Sequence, residues 1–318
     1  MTVDRSAAGN EKWKAWRRDW ARDLRRNKAI YIMFIPVFVY FIVFSYIPII
    51  GAQIAFRNFR AVDGIWGSTW VGLEHFRNFL SNFYFWRLIR NTLLINFYDI
   101  LFGFPAPIIL ALLINEIRNK FIRRVTQTVS YLPHFVSIVV VAGLVRNFFS
   151  GSGIINDVLI SVGIFEQPLR FMTEQGWFRP LFVGSQIWQT AGLGSIIYLA
   201  ALTSIDQELY EAASIDGAKR MRQLWHITLP GIMPTILIMF ILRVGSIMTV
   251  GFERVLLLYN ENVYETADVI STFVYRQGIL LGNFSYTTAV DLFNSIINLT
   301  VLLLVNKFCR KRFEQSLW

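Results

Sequence analysis

The sequence predicts an all-α integral membrane protein with six transmembrane helices. Two observations carry that expectation. Hydrophobic residues make up 54% of the 318-residue chain and charged residues only 16%, whereas a soluble domain is about a quarter charged; mean hydropathy is +0.45. Six segments, near 30–50, 88–114, 127–149, 178–203, 231–252 and 286–306, are also long and apolar. Crossing the roughly 30 Å of hydrocarbon takes about 20 helical residues, and each of the six meets that length. A net charge of +10 raises nucleic acid as a partner. Nucleic acid is set aside because the basic residues cluster beside the apolar segments, where membrane lipids and topology account for them.

The N-terminal stretch 1–29 carries Trp13, Trp16, Trp20 and Leu24 at helical spacing, with Lys14, Arg17, Arg18, Arg22, Arg25 and Arg26 mostly on the other faces. Such a helix suits the membrane interface, indoles at headgroup depth and bases on anionic lipid; contact with a cytoplasmic partner is the alternative. The first span is too long for a signal-peptide core and lacks a small-x-small site after it, so it is read as a retained anchor. Pro36, Pro48, Pro105 and Pro107 interrupt the first two spans, which a bundle tolerates where neighbours satisfy the freed backbone groups. Between them, Leu73, Phe76, Phe79 and Leu80 fall at helical intervals and predict a short surface helix within 71–82. The stretch 150–177, with Gly163, Pro168 and Gly176, predicts turns around another short helix.

Orientation follows from Lys and Arg. The segments 1–29, 115–126, 204–230 and 307–318 hold twenty, against eight in 51–87, 150–179 and 253–285. The positive-inside rule therefore places both termini in the cytoplasm, as an even span count also requires. The chain divides into a basic amphipathic tail (1–29), a six-span domain (30–306) and a basic cytoplasmic tail (307–318).

Absences narrow the function. There is no Gly-Lys pair, so no Walker-type phosphate loop can form, and GSGIIN (151–156) lacks the third glycine of a dinucleotide fingerprint. His75, His134 and His226 are spread over both sides of the membrane and Cys309 is the single cysteine, so neither a metal site nor a disulfide framework is expected. Asp99, Arg243 and Asp291 lie inside spans, with Arg90 and Arg146 nearer the ends. They read either as a relay or substrate contact, or as buried pairs and helix-end residues reaching for water. No array of acids favours the relay.

The segment 204–231, SIDQELYEAASIDGAKRMRQLWHITLPG, is polar between two oily runs. Ser204 or Asp206 can cap a helix bearing Leu209, Ala212 and Ala213 as a small apolar stripe, with Tyr210 at its edge. Gly217 permits the left-handed residue that ends it. A second short helix, with Met221, Leu224 and Trp225 on one face, is expected to stop at Leu229-Pro230. A plain link between spans needs only a handful of residues. This one is built to be gripped.

Glu211, Ala212, Ala213, Gly217, Ile227, Leu229 and Pro230 fit the pattern E-A-A, three residues, Gly, nine residues, Ile-x-Leu-Pro. That pattern, before the last two spans, resembles the EAA motif of permease subunits in binding-protein-dependent ABC importers. SQIWQTAGLGSIIYLAALTSIDQELYEAASIDGA and VGFERVLLLYNENVYETADVISTFVYRQG are similar to its carbohydrate branch, the LplB-like oligosaccharide permeases and the larger permease subunit of alginate importers.

The resemblance implies a type I ABC importer permease fold in a bacterial inner membrane, with 204–231 as the cytoplasmic coupling loop. It implies a second homologous permease subunit and a periplasmic or lipid-anchored solute-binding protein. It also implies an ATPase dimer that uses ATP and Mg, while this chain has no catalytic residue and binds no cofactor. Glu211 would bond to the ATPase, Ala212 and Ala213 would allow close approach, and Gly217 would set the angle between the short helices. Ile227, Leu229 and Pro230 would join the ridge to the fifth span. Cargo would then move by alternating access. Candidates for the substrate path are Gln186, Trp188 and Gln189 in the fourth span and Asp291, Asn294 and Asn298 on one face of the sixth; interhelical polar packing is the other reading of both sets. Two rival functions are weaker. An ion-coupled secondary transporter would leave the gripped loop without purpose, and a membrane-embedded transferase would need an acid/base or metal constellation that is missing.

Overall fold

The computed structural model describes residues 16, 20, 22–24 and 26–317. Of the pattern in the N-terminal tail, Trp13, Lys14, Arg17, Arg18 and Arg25 lie outside them, while Trp16 and Trp20 are described with their rings 5.8 Å apart. The chain begins with α1 (Lys28–Phe56), followed by a two-residue ribbon of β1 (Arg57–Asn58) and β2 (Thr69–Trp70), antiparallel with Arg57 opposite Trp70. This ladder is the one sheet among the described residues. The expected surface helix is α2 (Glu74–Leu80), held by Phe79, which is buried among aromatic neighbours. Next come α3 (Phe85–Asn115), α4 (Lys120–Phe135) and α5 (Ile138–Phe148), and then α6 (Ile154–Ser161), α7 (Gln175–Thr203) and α8 (Gln207–Ile215). The chain continues as α9 (Arg220–Gly245), the short α10 (Phe252–Leu258), α11 (Tyr264–Ala267) and α12 (Ile270–Val274), and ends with α13 (Phe284–Phe313).

Four helices, α1, α3, α9 and α13, are long and apolar enough to cross a membrane. The expected third span is not one straight rod. The two helices α4 and α5 meet at a bend of 97°, because Pro133 falls in a 3-10 turn, Leu132–Phe135, after which the chain is extended at Val136 and Ser137. Proline breaks an α-helix in this way by lacking the N–H and crowding the preceding turn. The expected fourth span lies within α7, which has the length but not the apolarity of the other four. It buries ten residues against the other helices, among them Ser185, Gln189 and Ser195, while Trp188, Ile196 and Ile197 stay exposed. The face of a helix that packs on protein can be polar where a lipid-facing one cannot.

Packing radiates from α7. Near one end Phe178, Phe182 and Val183 meet Val255, Leu258, Val263 and Ala267. Near the other, Tyr198, Leu199 and Leu202 meet Ile108, Ala111 and Ile114 of α3 and Ile232 of α9. At Gly192 an added Cβ would lie 1.8 Å from the Ser130 carbonyl oxygen, so α4 and α7 cross backbone to backbone. By contrast, residues 32–50 of α1 are exposed on every face, the condition of a helix whose apolar circumference is meant for lipid or another chain.

Three of these helices widen into a π turn just before a proline. Ile47 donates its N–H to Ile42, Phe104 to Asp99 and Leu229 to Leu224, each five residues back. The next residue is Pro48, Pro105 or Pro230, which has no N–H to give. The wider turn lets the helix continue where an α-helical ladder would break.

At the end away from the coupling loop, charge clamps the bundle. The fully buried Asp268 accepts hydrogen bonds from Arg87 (3.0 Å), Arg276 (2.7 Å) and Thr272 (2.8 Å). Burial works against the Arg276 charge, but the Asp268 carboxylate outweighs it and raises the guanidinium above its ordinary value. Asn91 of α3 donates to the Glu265 and Asp268 carbonyls and accepts from Arg179 of α7.

Candidate functional site

The seven residues of the coupling pattern fall on α8, its closing turn and the first turns of α9. Asp206, rather than Ser204, starts α8 by accepting the Glu208 N–H at 3.0 Å. The helix closes with Ala218 N–H to Ala213 O (2.8 Å) and Gly217 N–H to Ser214 O (3.1 Å), around Gly217 at φ 75°. That closure needs a residue without a Cβ. The chain then enters α9 at Arg220. Contrary to the expected stop, Leu229-Pro230 does not end the second helix. The π turn Leu224–Thr228 absorbs the proline, and one helix runs on to Gly245.

Polar side chains brace this ridge from within. Gln223 Nε2 donates to Ser214 Oγ (2.9 Å) and to the Ala218 carbonyl (3.1 Å), tying the two arms together. The Tyr210 and Thr228 hydroxyls lie 3.0 Å apart. Tyr210 and Ile227 pack on the cluster containing Leu202, Ile205 and Ile232, which seats the ridge on the membrane helices. Arg220 pairs with Glu116 at the end of α3, 3.2 Å away and exposed.

What faces outward is different. Glu211, Ala212, Gly217 and Pro230 are exposed, while Ala213, Ile227 and Leu229 are half-buried. Ile215 is 87% exposed, and Met221 and Trp225 also stand out from the surface. Sequence reading missed Ile215. The available signal was its place three residues after Ala212 and four after Glu211, on the same helical face.

A second region lies between the long helices, a cavity of about 650 Å³. Its wall includes Asn96 and Asp99 of α3, Gln186 and Thr190 of α7, Arg243 of α9 and Arg254 of α10. Asp99 is buried, paired with Arg243, and accepts from Gln186 Nε2 at 2.6 Å. Arg243 and Asp99 therefore form the buried pair that was one of their two sequence readings. From the wall, Arg254 reaches back to donate to Ser185 Oγ (3.1 Å) and to Gln189 Oε1, and Gln189 Nε2 donates to the Val136 carbonyl (2.8 Å).

The substrate-path candidates separate accordingly. Gln186 lines the cavity, Gln189 supports it through Arg254, and Trp188 points away, 51% exposed. On α13, Asn298 accepts the Met248 N–H (2.9 Å) and donates to Thr249 Oγ1 (3.1 Å), fixing the turn after α9. Asp291 is exposed and Asn294 half-buried, and neither lines the cavity. Arg254 was not among the candidates because it lies in a stretch read as outside the membrane.

Comparison with known proteins bears on both regions. The family described as "Binding-protein-dependent transport system inner membrane component" matches residues 103–308, which include the ridge and the cavity wall apart from Ile95, Asn96 and Asp99. Protein LplB of Bacillus subtilis (strain 168) is 44% identical over 298 residues, 93% of each chain. The polygalacturonan/rhamnogalacturonan transport system permease protein YteP of the same organism is 40% identical over 93% of this chain and 92% of its own. A chain in the crystal structure of a bacterial alginate ABC transporter, in complex with an alginate pentasaccharide-bound periplasmic protein, superposes with a TM-score of 0.85. It is 42% identical, over 93% of this chain and 99% of that one.

Proposed function

This chain belongs to the family of inner membrane components of binding-protein-dependent transport systems, and from that premise we propose that it is the permease subunit of an ATP-driven importer of oligosaccharides. In this reading it is a multi-pass membrane protein with six spans and both termini in the cytoplasm. The broken pair α4 and α5 supplies the third span and α7 the fourth. A second, related permease completes the pathway, and a solute-binding protein delivers the cargo. ATP, with Mg, is hydrolysed by a separate ATPase dimer that grips the ridge.

One observation carries the reading: a single helix, α9, joins the ridge to the cavity. It leaves the turn at Gly217, passes through Ile227, Leu229 and Pro230, and carries Arg243 into the cavity wall before ending at Gly245. Its 26 residues span about 39 Å at 1.5 Å per residue. Displacing the braced ridge would swing this rod, and closure of the ATPase would thereby bias the cavity between outward- and inward-open states. Oligosaccharide cargo is supported by the transport named for YteP and by the pentasaccharide-bound partner of the alginate transporter.

The test is co-purification with the cognate ATPase. Gly217→Pro cannot adopt φ 75°, and Glu211→Arg reverses the charge on the exposed face. Both should lose ATPase association and substrate-stimulated hydrolysis while the chain still inserts in the membrane. Unchanged association and hydrolysis in both variants would falsify the coupling role.

A further inference from the structure

The cavity wall holds two guanidinium groups and one carboxylate. Arg243 is matched by Asp99. Arg254 is not matched. It is 5% exposed, its partners are the neutral Ser185 hydroxyl and Gln189 amide oxygen, and among the described residues no carboxylate pairs with it. Its neighbour Glu253 is exposed and makes no ion pair with it. A buried cation without a counter-charge is costly. Two neutral acceptors hold the guanidinium at the cavity wall without cancelling its charge, and they occupy two of the five N–H donors of its fork.

From this geometry we infer that Arg254 is the recognition point for a carboxylate on the cargo, so that the transported oligosaccharide is acidic, built of uronate units. The inference rests on the oligosaccharide-import reading and sharpens it. A neutral sugar offers hydroxyls, which would bond to Gln186, Thr190 or Thr249 but leave the Arg254 charge uncompensated. A carboxylate meets guanidinium with two parallel N–H···O bonds and supplies the missing charge. The cavity volume of about 650 Å³ lies within the usual range for ligand pockets, roughly 300–1,000 Å³. Asp99 does not oppose an anion there, because Arg243 and Gln186 already hold its oxygens.

The rival role for Arg254 is to pin α10 to α7, and the experiment separates the two. The full complex (both permeases, ATPase and binding protein) is reconstituted in proteoliposomes. ATP-dependent uptake is measured for galacturonate and mannuronate oligomers, each as the free acid and as the methyl ester, and for neutral arabinan, xylan and maltodextrin oligomers. Wild type should prefer the acids. Arg254→Gln should lower uptake of the acid relative to its ester by roughly tenfold to a hundredfold, the effect of losing a charge-assisted bond, and Arg254→Lys should restore part of it. Equal loss for acid and ester in Arg254→Gln would show a structural pin and overturn the inference. So would wild-type uptake without preference, a result that stands even if the variant fails to assemble. Uptake of neutral oligomers alone would overturn it while leaving oligosaccharide import intact. If no oligomer of any kind moves, the import reading falls and takes this one with it.

Discussion

The ridge and the cavity invert each other. On the ridge, Ile215, Met221 and Trp225 face outward while Gln223, Tyr210 and Thr228 bond to one another or to backbone within the turn. Around the cavity, Asp99 and Arg254 are buried while Leu101 and Phe102 of α3 and Ile197 of α7 are exposed on helices that line it. Each inversion fits the proposed reading of what the surface meets. Apolar side chains held out on a rigid, polar-braced scaffold are suited to a protein partner. Charges held inward by a lipid-facing exterior mark a polar path through a bilayer.

Three substitutions test that contrast, and the cavity should break hardest. Asp99→Ala leaves Arg243 without its partner. Losing one member of a buried pair costs about 3–5 kcal/mol, and the lower end applies because the Arg243 side chain is 40% exposed. The purified protein should melt at a clearly lower temperature, with part of the loss recovered in the Asp99→Ala, Arg243→Ala double variant. Wild-type melting in the single variant would mean that the pair does not hold the cavity together.

On the ridge the effect should fall on binding. Ile215→Asp removes an apolar side chain worth about 1.5–3 kcal/mol when buried in a partner, which is roughly tenfold to a hundredfold in ATPase affinity. Because Ile215 is 87% exposed, melting of the isolated permease should not move. A titration showing unchanged affinity would remove this residue from the contact surface. Smallest of all is Arg220→Ala. The exposed pair with Glu116 is worth about 0–1 kcal/mol and weakens with salt. A double-mutant cycle in low and high salt should return a coupling energy in that range, vanishing in the second; a larger, salt-independent value would make the pair part of the ridge's rigid frame.

The two regions also differed in how far the sequence exposed them. The ridge is contiguous, so its cap, its left-handed glycine and the spacing from Glu211 to Pro230 can all be read along one stretch. Even there Ile215 escaped, because an isoleucine in the last turn of a short helix looks like ordinary packing until its surroundings are known. The cavity draws on α3, α7, α9 and α10, and nothing local says that Asp99 faces Arg243 across 143 intervening positions. Hydropathy located the outer spans well, since lipid selects for composition. It could not show the bend at Pro133 within the expected third span, nor that Ser185, Gln189 and Ser195 of α7 are buried against the other helices.

The three π turns have a consequence for how this chain can change. Each contains about one residue more than regular helix needs over the same rise, so losing one residue inside Asp99–Gly103 or Leu224–Thr228 would return the turn to regular helix with its two halves in nearly the same phase. A residue lost from the regular helix beyond has no such slack, and everything after it would turn by roughly 100°. The π turns are therefore the places in these helices where the chain can shorten by one residue without rotating the ridge relative to the cavity wall.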